Sequence, residues 1–248
     1  MSAHPWLRVG KLTHRYGSRV GCRDVSFELW PGEVLGIVGE SGSGKSTLLS
    51  CLSTRLQPTA GLVEYDTSDQ GLVDVYALSE PRRRLLMRTD WGIVHQNPRD
   101  GLRMGVSAGA NVGERLMAVG ARHYGRIREQ AGEWLDKVEI DPARMDDQPA
   151  TFSGGMLQRL QIARNLVTHP RLVFMDEPTG GLDVSVQARL LDLLRRLVTD
   201  LGLSAIVVTH DLAVMRQGEV VEQGLTDQVL DDPHHPYTQL LVSSVLQP

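Results

Sequence analysis

The sequence has few cysteines, a small net charge and no long apolar run, and each shortage excludes a class of protein. Only two of the 248 residues are cysteines, Cys22 and Cys51, too few for a disulfide framework, so we expect free thiols in a reducing compartment. The formal net charge of −4 does not favour bulk binding to nucleic acid. Because no apolar stretch is long enough to span a bilayer and the N-terminus lacks the apolar core of a signal peptide, we expect a cytoplasmic protein with no direct membrane insertion.

A glycine-rich stretch near the N-terminus has the form G-x-x-x-x-G-K-[ST] of a phosphate-binding loop. Its residues are Gly39-Glu40-Ser41-Gly42-Ser43-Gly44-Lys45-Ser46-Thr47. An apolar run over residues 33–38 predicts a strand before it, and residues 46–52 predict a helix after it, which is the context that the motif needs. The glycines let the backbone approach phosphate oxygens closely, and the helix start presents free N–H groups to the anion. We expect Lys45 to reach the β- and γ-phosphates and the Ser46 hydroxyl to bind Mg²⁺.

Two further apolar runs end in side chains suited to phosphate chemistry. Residues 171–175 predict a strand buried on both faces of a parallel sheet, and it ends at Asp176 and Glu177. Asp176 can hold Mg²⁺ through water, and Glu177 can deprotonate a water that attacks the γ-phosphate. A second buried strand, residues 205–209, ends at His210, a side chain that can sense or stabilise the γ-phosphate.

Three other features each allow two interpretations from the residues alone. Tyr16 either stacks on a purine ring or is a half-buried strand residue. Ser153, Gly154 and Gly155 either expose N–H groups at a helix start, with Ser153 as N-cap, or form a plain loop. The basic turn at residues 82–88 is either a nucleic-acid patch or a solvated helix face, and we favour the solvated face.

The order of the patterns predicts an α/β protein. Short alternating strands near the N-terminus indicate an antiparallel β lobe, and buried strands followed by helices indicate a mostly parallel core. Residues 97–165 read as a helical lobe, in which Ile127, Ala131, Trp134, Leu135 and Val138 form one apolar stripe. Asp183 is expected to cap an amphipathic helix that follows it.

Taken together, these elements resemble the nucleotide-binding domain of the ATP-binding-cassette superfamily over nearly the whole chain. Tyr16 matches the adenine-stacking aromatic of that family, and residues 39–47 match its phosphate loop. Residues 152–156 match the signature, although Met156 stands where Gln is commonest and cannot donate a hydrogen bond as Gln would. Residues 172–177 match the acidic strand, followed by a loop at residues 181–183.

The resemblance implies a single P-loop cassette ATPase domain over residues 1–248, with a RecA-like core, a helical lobe at 97–165 and a C-terminal tail at 225–248. It implies that Gln96 contacts Mg²⁺ or the attacking water and joins the two lobes, and that His210 is the switch histidine. ATP and Mg²⁺ are the implied cofactors. Two copies are expected to sandwich two nucleotides, so that Ser153, Gly154 and Gly155 of one copy act on ATP held by the other.

The signature and the His-Pro-Tyr-Thr tail at residues 235–238 are familiar in the dipeptide and oligopeptide branch of the family. Within that branch the chain is most similar to the cassette subunits associated with the bacterial carbon–phosphorus lyase complex. That similarity implies the lyase core as partner and no nucleic acid. The alternatives are an oligopeptide-type importer ATPase, which shares every ATP motif, and a DNA-associated cassette ATPase, whose coiled-coil insertion is absent here.

One departure from the family pattern lies after His210. Only residues 211–214 separate it from 215–219, where related cassettes have a helix and a strand, and a parallel crossover needs about a dozen residues. Four extended residues reach only about 14 Å. Either the segment is deleted and residues 215–221 pair differently, or roughly ten residues of the natural chain are missing from this sequence; we expect the second.

Overall fold

The computed structural model describes residues 4–39, 42–208, 214–216 and 219–222, together with residues 234, 235 and 239. The chain divides into two compact units. Unit 1 comprises residues 1–80 and 204–248, and unit 2 comprises residues 81–203. The single cassette domain over residues 1–248 stays a prediction.

Unit 1 contains an antiparallel sheet with the strand order β2-β1-β4-β5. Its strands are β1 (Leu7–Tyr16), β2 (Arg19–Leu29), β4 (Ala60–Thr67) and β5 (Gly71–Asp74). β1 and β2 are longer than the alternation of their residues predicts, because shifts in register between Val9 and Arg15 let the pairing continue past irregular backbone. The predicted antiparallel lobe is therefore present, and Tyr16 lies at the end of β1.

The parallel part of unit 1 surrounds β3 (Val34–Gly39), which leads into α1 (Lys45–Leu52). β3 pairs in parallel with β8 (Ser204–Val208) and with β9 (Val214–Arg216), and β9 pairs antiparallel with β10 (Glu219–Glu222). Buried leucines of α1 and apolar residues of β3 and β8 form the core here. The predicted strand–loop–helix context of the phosphate loop is thus observed.

The pairing of β9 bears on the segment after His210. Val208, at the end of β8, pairs with Ile37, and Val214, at the start of β9, pairs with Val38. The end of β8 and the start of β9 therefore lie on opposite sides of β3, one residue apart along that strand. Two strand spacings amount to about 10 Å, which the five residues between can cover. The distance argument for a missing stretch is therefore wrong for this pairing, since β9 starts where β3 ends. Residues 209–213 lie outside the described residues, and a missing stretch stays a prediction.

Unit 2 is mainly helical. Its elements are α2 (Glu80–Thr89), β6 (Trp91–Val94), α3 (Pro98–Gly101), α4 (Ala108–Ala118), α5 (Tyr124–Lys137), two 3₁₀ turns (Pro142–Asp146 and Pro149–Thr151), α6 (Gly154–Leu166), β7 (Leu172–Asp176) and α7 (Val184–Leu201). β6 and β7 pair in parallel, with Trp91 and Phe174 edge to face at 5.1 Å between ring centroids.

Polar side chains begin several of these helices. Asn97, Ser107, His123 and Ser153 each accept a hydrogen bond from a backbone N–H in the first turn. Asp183 occupies the N-cap position of α7, as predicted, but its side chain makes no capping hydrogen bond. The apolar stripe on α5 and at Val138 is buried as predicted. Among the described residues, none of the helices combines the length and apolar character that crossing a membrane requires.

Candidate nucleotide-binding and hydrolysis site

The phosphate loop connects β3 to α1 through glycines in left-handed or related conformations. Gly39, Gly42 and Gly44 have φ values of 149°, 82° and 105°, which side-chain-bearing residues rarely adopt. Lys45 is 5% exposed, and its Nζ donates a 2.6 Å hydrogen bond to the Gly39 carbonyl oxygen. The ammonium group is thereby folded back over the loop. Glu40 and Ser41 lie outside the described residues.

Two observations at the loop fit a bound phosphate chain. Gly44 is the N-cap of α1 and supplies no capping side chain, and a helix start of this kind is a common binding place for phosphate groups. The Ser43 hydroxyl is buried and has no hydrogen-bond partner among the described residues. A buried polar group without a partner is costly, and phosphate oxygens would accept from it. The residues of the loop therefore fit a nucleoside triphosphate.

Tyr16 is placed beside this loop. Its hydroxyl lies 3.5 Å from Thr47 Oγ1, and its ring packs edge to face against His14 at 4.6 Å between centroids. The side chain is 51% exposed. An aromatic face held next to a phosphate loop and open to solvent favours stacking on a base over a purely structural role.

Arg19, at the start of β2, was not identified from the sequence. Its Nη2 lies 4.0 Å from the position that a Cβ on Gly42 would occupy. A cation at that place adds to the attraction for phosphate oxygens. The sequence gives only a weak indication of this position, because the turn between β1 and β2 that brings Arg19 to the loop is marked by nothing more than a Gly-Ser pair.

Within unit 2, Gln96 and Glu177 meet directly. Gln96 follows β6, and its Nε2 donates a 2.6 Å hydrogen bond to Glu177 Oε2. Glu177 follows β7 with a φ of 42°, a strained conformation of the kind that collects at functional sites. A hydrogen bond from the Gly180 N–H to the Glu177 carbonyl closes the turn at 2.9 Å. Asp176, the last residue of β7, directly precedes Glu177 and is half-buried.

The signature residues begin α6. Ser153 Oγ accepts from the Met156 N–H at 3.3 Å, so Ser153 is the predicted N-cap. A Cβ on Gly155 would stand 2.8 Å from Val186 Cγ1, which requires glycine for this close approach to α7. Met156 Sδ accepts from Arg144 Nη1 at 3.5 Å, so this side chain contacts its own lobe.

Three polar residues on the buried face of α6 fasten it to β6 and were not identified from the sequence. Gln158 Nε2 and Gln161 Nε2 donate to the His95 carbonyl at 3.3 and 3.1 Å, and Gln161 also accepts from the His95 N–H. Asn165 Oδ1 accepts from the Ile93 N–H at 3.0 Å. The segment that leads from β6 to Gln96 is thus hydrogen-bonded to α6, the helix that Ser153 caps. The spacing of three and four residues between positions 158, 161 and 165 places them on one face of a helix, and it is the one feature of the sequence that could have indicated these contacts.

The predicted site residues fall into two groups. Tyr16, Gly39, Gly42, Ser43, Gly44, Lys45, Ser46 and Thr47 are described in unit 1, and Gln96, Ser153, Gly154, Gly155, Asp176 and Glu177 in unit 2. Ser41 and His210 lie outside the described residues.

Comparison with known proteins decides the family. The family model described as "ABC transporter" matches residues 22–180. The chain belongs to the ABC transporter family. It is an ATP-binding protein and an ATPase of the ABC type. A second family model, described as "Oligopeptide/dipeptide transporter, C-terminal region", matches residues 221–248.

Curated relatives cover most of this ABC protein. It is 66% identical over 253 residues to an Escherichia coli (strain K12) protein named for phosphonates utilization, the ATP-binding protein PhnK, with 98% of each chain covered. It is 38% identical over 230 residues to the dipeptide transport ATP-binding protein DppF of the same strain, covering 89% of this chain and 67% of DppF.

Solved structures of ABC proteins share the fold. The chain matches the ATP-binding cassette MJ0796, solved as a dimer in a post-hydrolysis state bound to ADP and phosphate, with a TM-score of 0.78 and 28% identity, over 88% of this chain and 97% of that one. It matches cbiO1 from Clostridium perfringens, part of the cbiONQ transporter complex, with a TM-score of 0.79 and 28% identity, over 92% of each. The predicted α/β P-loop cassette fold is confirmed.

Proposed function

We propose that this ABC ATPase works in phosphonate utilization, as the cassette subunit associated with the carbon–phosphorus lyase complex. The observation that carries the proposal is the 66% identity to PhnK over 98% of both chains. Such identity greatly exceeds the 33–38% identity to peptide-import and dipeptide-transport ATPases. The chain would supply ATP turnover to the complex and would not itself break the C–P bond, since two cysteines cannot form the thiolate set that holds an iron–sulfur cluster.

In this proposal the phosphate loop and its neighbours bind ATP. Tyr16 stacks on the adenine, and the loop amides, the Ser43 hydroxyl and Lys45 hold the phosphates. The buried Ser43 hydroxyl without a partner among the described residues and the left-handed glycines support this assignment. The nucleotide-binding residues are Tyr16, Gly39, Ser41, Gly42, Ser43, Gly44, Lys45, Ser46 and Thr47.

The remaining residues serve magnesium and hydrolysis. Ser46, Gln96 and Asp176 offer a hydroxyl, an amide oxygen and a carboxylate, the oxygen ligands that Mg²⁺ prefers. Glu177 accepts a proton from the water that attacks the γ-phosphate, and Gln96 fixes the Glu177 carboxylate through the 2.6 Å hydrogen bond. His210 stabilises the γ-phosphate.

ATP hydrolysis is proposed to need two copies of the chain. MJ0796 is a dimeric cassette, and the same arrangement here would bring Ser153, Gly154 and Gly155 of one copy to the nucleotide of the other. The N-terminus of α6 would then face the γ-phosphate with its free N–H groups.

A capture experiment tests the phosphonate role. The Glu177→Gln variant, tagged and expressed in its native host with a phosphonate as sole phosphorus source, is purified after brief crosslinking. We expect soluble lyase subunits to co-purify, and the Lys45→Ala variant serves as the control that cannot bind ATP. Recovery of an inner-membrane permease in place of lyase subunits would overturn the proposal.

A second candidate is the ATPase of a peptide importer. It is favoured by the match of residues 221–248 to the oligopeptide/dipeptide transporter C-terminal region and by the similarity to DppF. Deleting the gene separates the two candidates, because the importer role predicts loss of growth on peptides and the lyase role predicts loss of growth on phosphonates alone.

A further inference from the structure

Unit 2 contains a cavity of 360 Å³ with a strongly basic lining. Arg84 and Arg88 line it from α2, Arg115 from α4 and Arg164 from α6. Asp100 is the carboxylate among its lining residues. Four guanidinium groups around one space repel one another unless anions lie between them.

Arg115, which lines the cavity, keeps one hydrogen-bond donor without a partner among the described residues. Its Nη1 donates to the Met87 carbonyl at 3.2 Å and its Nη2 to the Trp91 carbonyl at 2.8 Å. Its Nε is buried and has no hydrogen-bond partner among the described residues. Burial, and then the charges of Arg164 and Arg88, lower the pKa of Arg115 to about 10, so the group is still a cation at neutral pH.

The nearby carboxylate of Glu114 offsets the charge of one lining arginine, Arg164. Its Oε2 pairs with Arg164 Nη1 at 2.8 Å and its Oε1 with Arg103 Nη1 at 3.2 Å. Burial raises the pKa of Glu114, but the two arginines lower it by more, and the carboxylate is held as an anion between them. One carboxylate therefore serves two arginines, and the cavity lining itself contains four arginines against one carboxylate, Asp100.

We propose that this cavity binds a small tetrahedral oxyanion of the phosphate or phosphonate type. A doubly charged tetrahedral anion offers several acceptors to converging guanidinium groups, which match such anions through paired N–H donors. It would accept hydrogen bonds from the guanidinium groups that line the cavity and would offset the repulsion among the arginines. A carboxylate ligand such as acetate is planar and singly charged, so it would offer the arginines fewer acceptor oxygens and less negative charge than phosphate.

This site is separate from the nucleotide site in its residues. None of the cavity-lining arginines belongs to the phosphate loop, the acidic strand or the signature. The cavity is also lined by His95, which directly precedes Gln96. The proposal does not depend on the phosphonate role, because binding of the anion is measured by itself.

The chain offers a matched control on one helix. Arg84 and Arg88 line the cavity from α2, whereas Arg82 and Arg83 on the same helix do not. The double variant Arg84→Gln/Arg88→Gln and the control Arg82→Gln/Arg83→Gln remove the same charge. Arg82, Arg84 and Arg88 are exposed and Arg83 is half-buried, so we expect both variants to fold, and both keep the phosphate loop intact.

Calorimetric titration at constant ionic strength tests the site, with the phosphate loop filled by a non-hydrolysable ATP analogue and Mg²⁺. Inorganic phosphate, methylphosphonate and acetate are the probes. We expect phosphate and methylphosphonate to bind the unmodified chain, and the Arg84→Gln/Arg88→Gln variant to bind them about tenfold or more weakly. The control should retain its affinity within about threefold.

Three results would overturn the proposal. Absence of phosphate and methylphosphonate binding to the unmodified chain would show that the cavity is not an anion site. Equal weakening in both double variants would assign the binding to the general charge of α2. Acetate binding as tight as phosphate binding would remove the tetrahedral selectivity.

Discussion

Tyr16 lies at the end of β1 with its hydroxyl 3.5 Å from Thr47 Oγ1 and with half of its surface exposed. The residues alone left two interpretations open, because an aromatic side chain at a strand end is compatible with either. The position beside the phosphate loop depends on the β1–β2 pairing and on the close approach of Gly21 to Thr47, where a Cβ would stand only 2.7 Å from Thr47 Cγ2. A close approach between two segments that are far apart in the chain leaves no pattern in the residues of either segment, so it could not be predicted from the sequence.

Replacing Tyr16 tests the adenine contact. We expect Tyr16→Ala to weaken ATP binding by about tenfold, because stacking of a base on an aromatic ring contributes about 1–3 kcal/mol. A titration with fluorescent ATP measures it. Tyr16→Phe is the control, since it keeps the ring and removes only the hydroxyl. Unchanged affinity in Tyr16→Ala would assign the ring a structural role.

Among the helices, α6 combines the signature residues at its start with polar residues on its buried face. Its first turn holds the signature, which the motif made visible in the sequence. Its buried face holds Gln158, Gln161 and Asn165, which bond the backbone of Ile93 and His95. The strand, the helix and the glycines could be predicted because their patterns are local, whereas these polar contacts could not, because their partners lie more than sixty residues away.

Removing one of these contacts should destabilise unit 2. We expect Gln161→Leu to lower the free energy of unfolding by about 1–3 kcal/mol, because it removes the acceptor of the hydrogen bond from the His95 N–H. Urea denaturation measures the change. Gln130→Leu is the matched control, since Gln130 is exposed on α5 and the same substitution there should have little effect. Equal stability of the two variants would contradict the proposed contact.

At the scale of the whole molecule, ATP turnover is proposed to require a second copy of the chain. The sequence predicts this only through the family resemblance, because no pattern in one chain specifies which residues face a partner. The signature residues fit that role, since α6 begins with Gly154 and Gly155, which have no side chains to block an anion, and Ser153 caps the N–H of Met156. Dimeric cassettes with the same fold support it.

A bulky charged residue at the signature should separate binding from turnover. We expect Ser153→Arg to abolish hydrolysis without weakening ATP binding to the monomer, because the Arg side chain would fill the space meant for the γ-phosphate of the other copy. Steady-state ATPase assays and a nucleotide titration measure the two effects. Ser107→Arg is the control, because Ser107 is also a helix N-cap and loses the same local hydrogen bond. A fully active Ser153→Arg dimer would rule out a site shared between two copies.

Size-exclusion chromatography of the Glu177→Gln variant with ATP and Mg²⁺ tests whether ATP joins two copies of the chain and whether Glu177 is needed for hydrolysis. The amide side chain of this variant would keep the hydrogen bond from Gln96 but could not take the proton of the attacking water, so ATP should stay bound and unhydrolysed. We predict a dimer in ATP, a monomer in ADP, and no dimer when Lys45→Ala is added. A Glu177→Gln chain that stays monomeric in ATP, or that turns ATP over at the unmodified rate, would contradict the account.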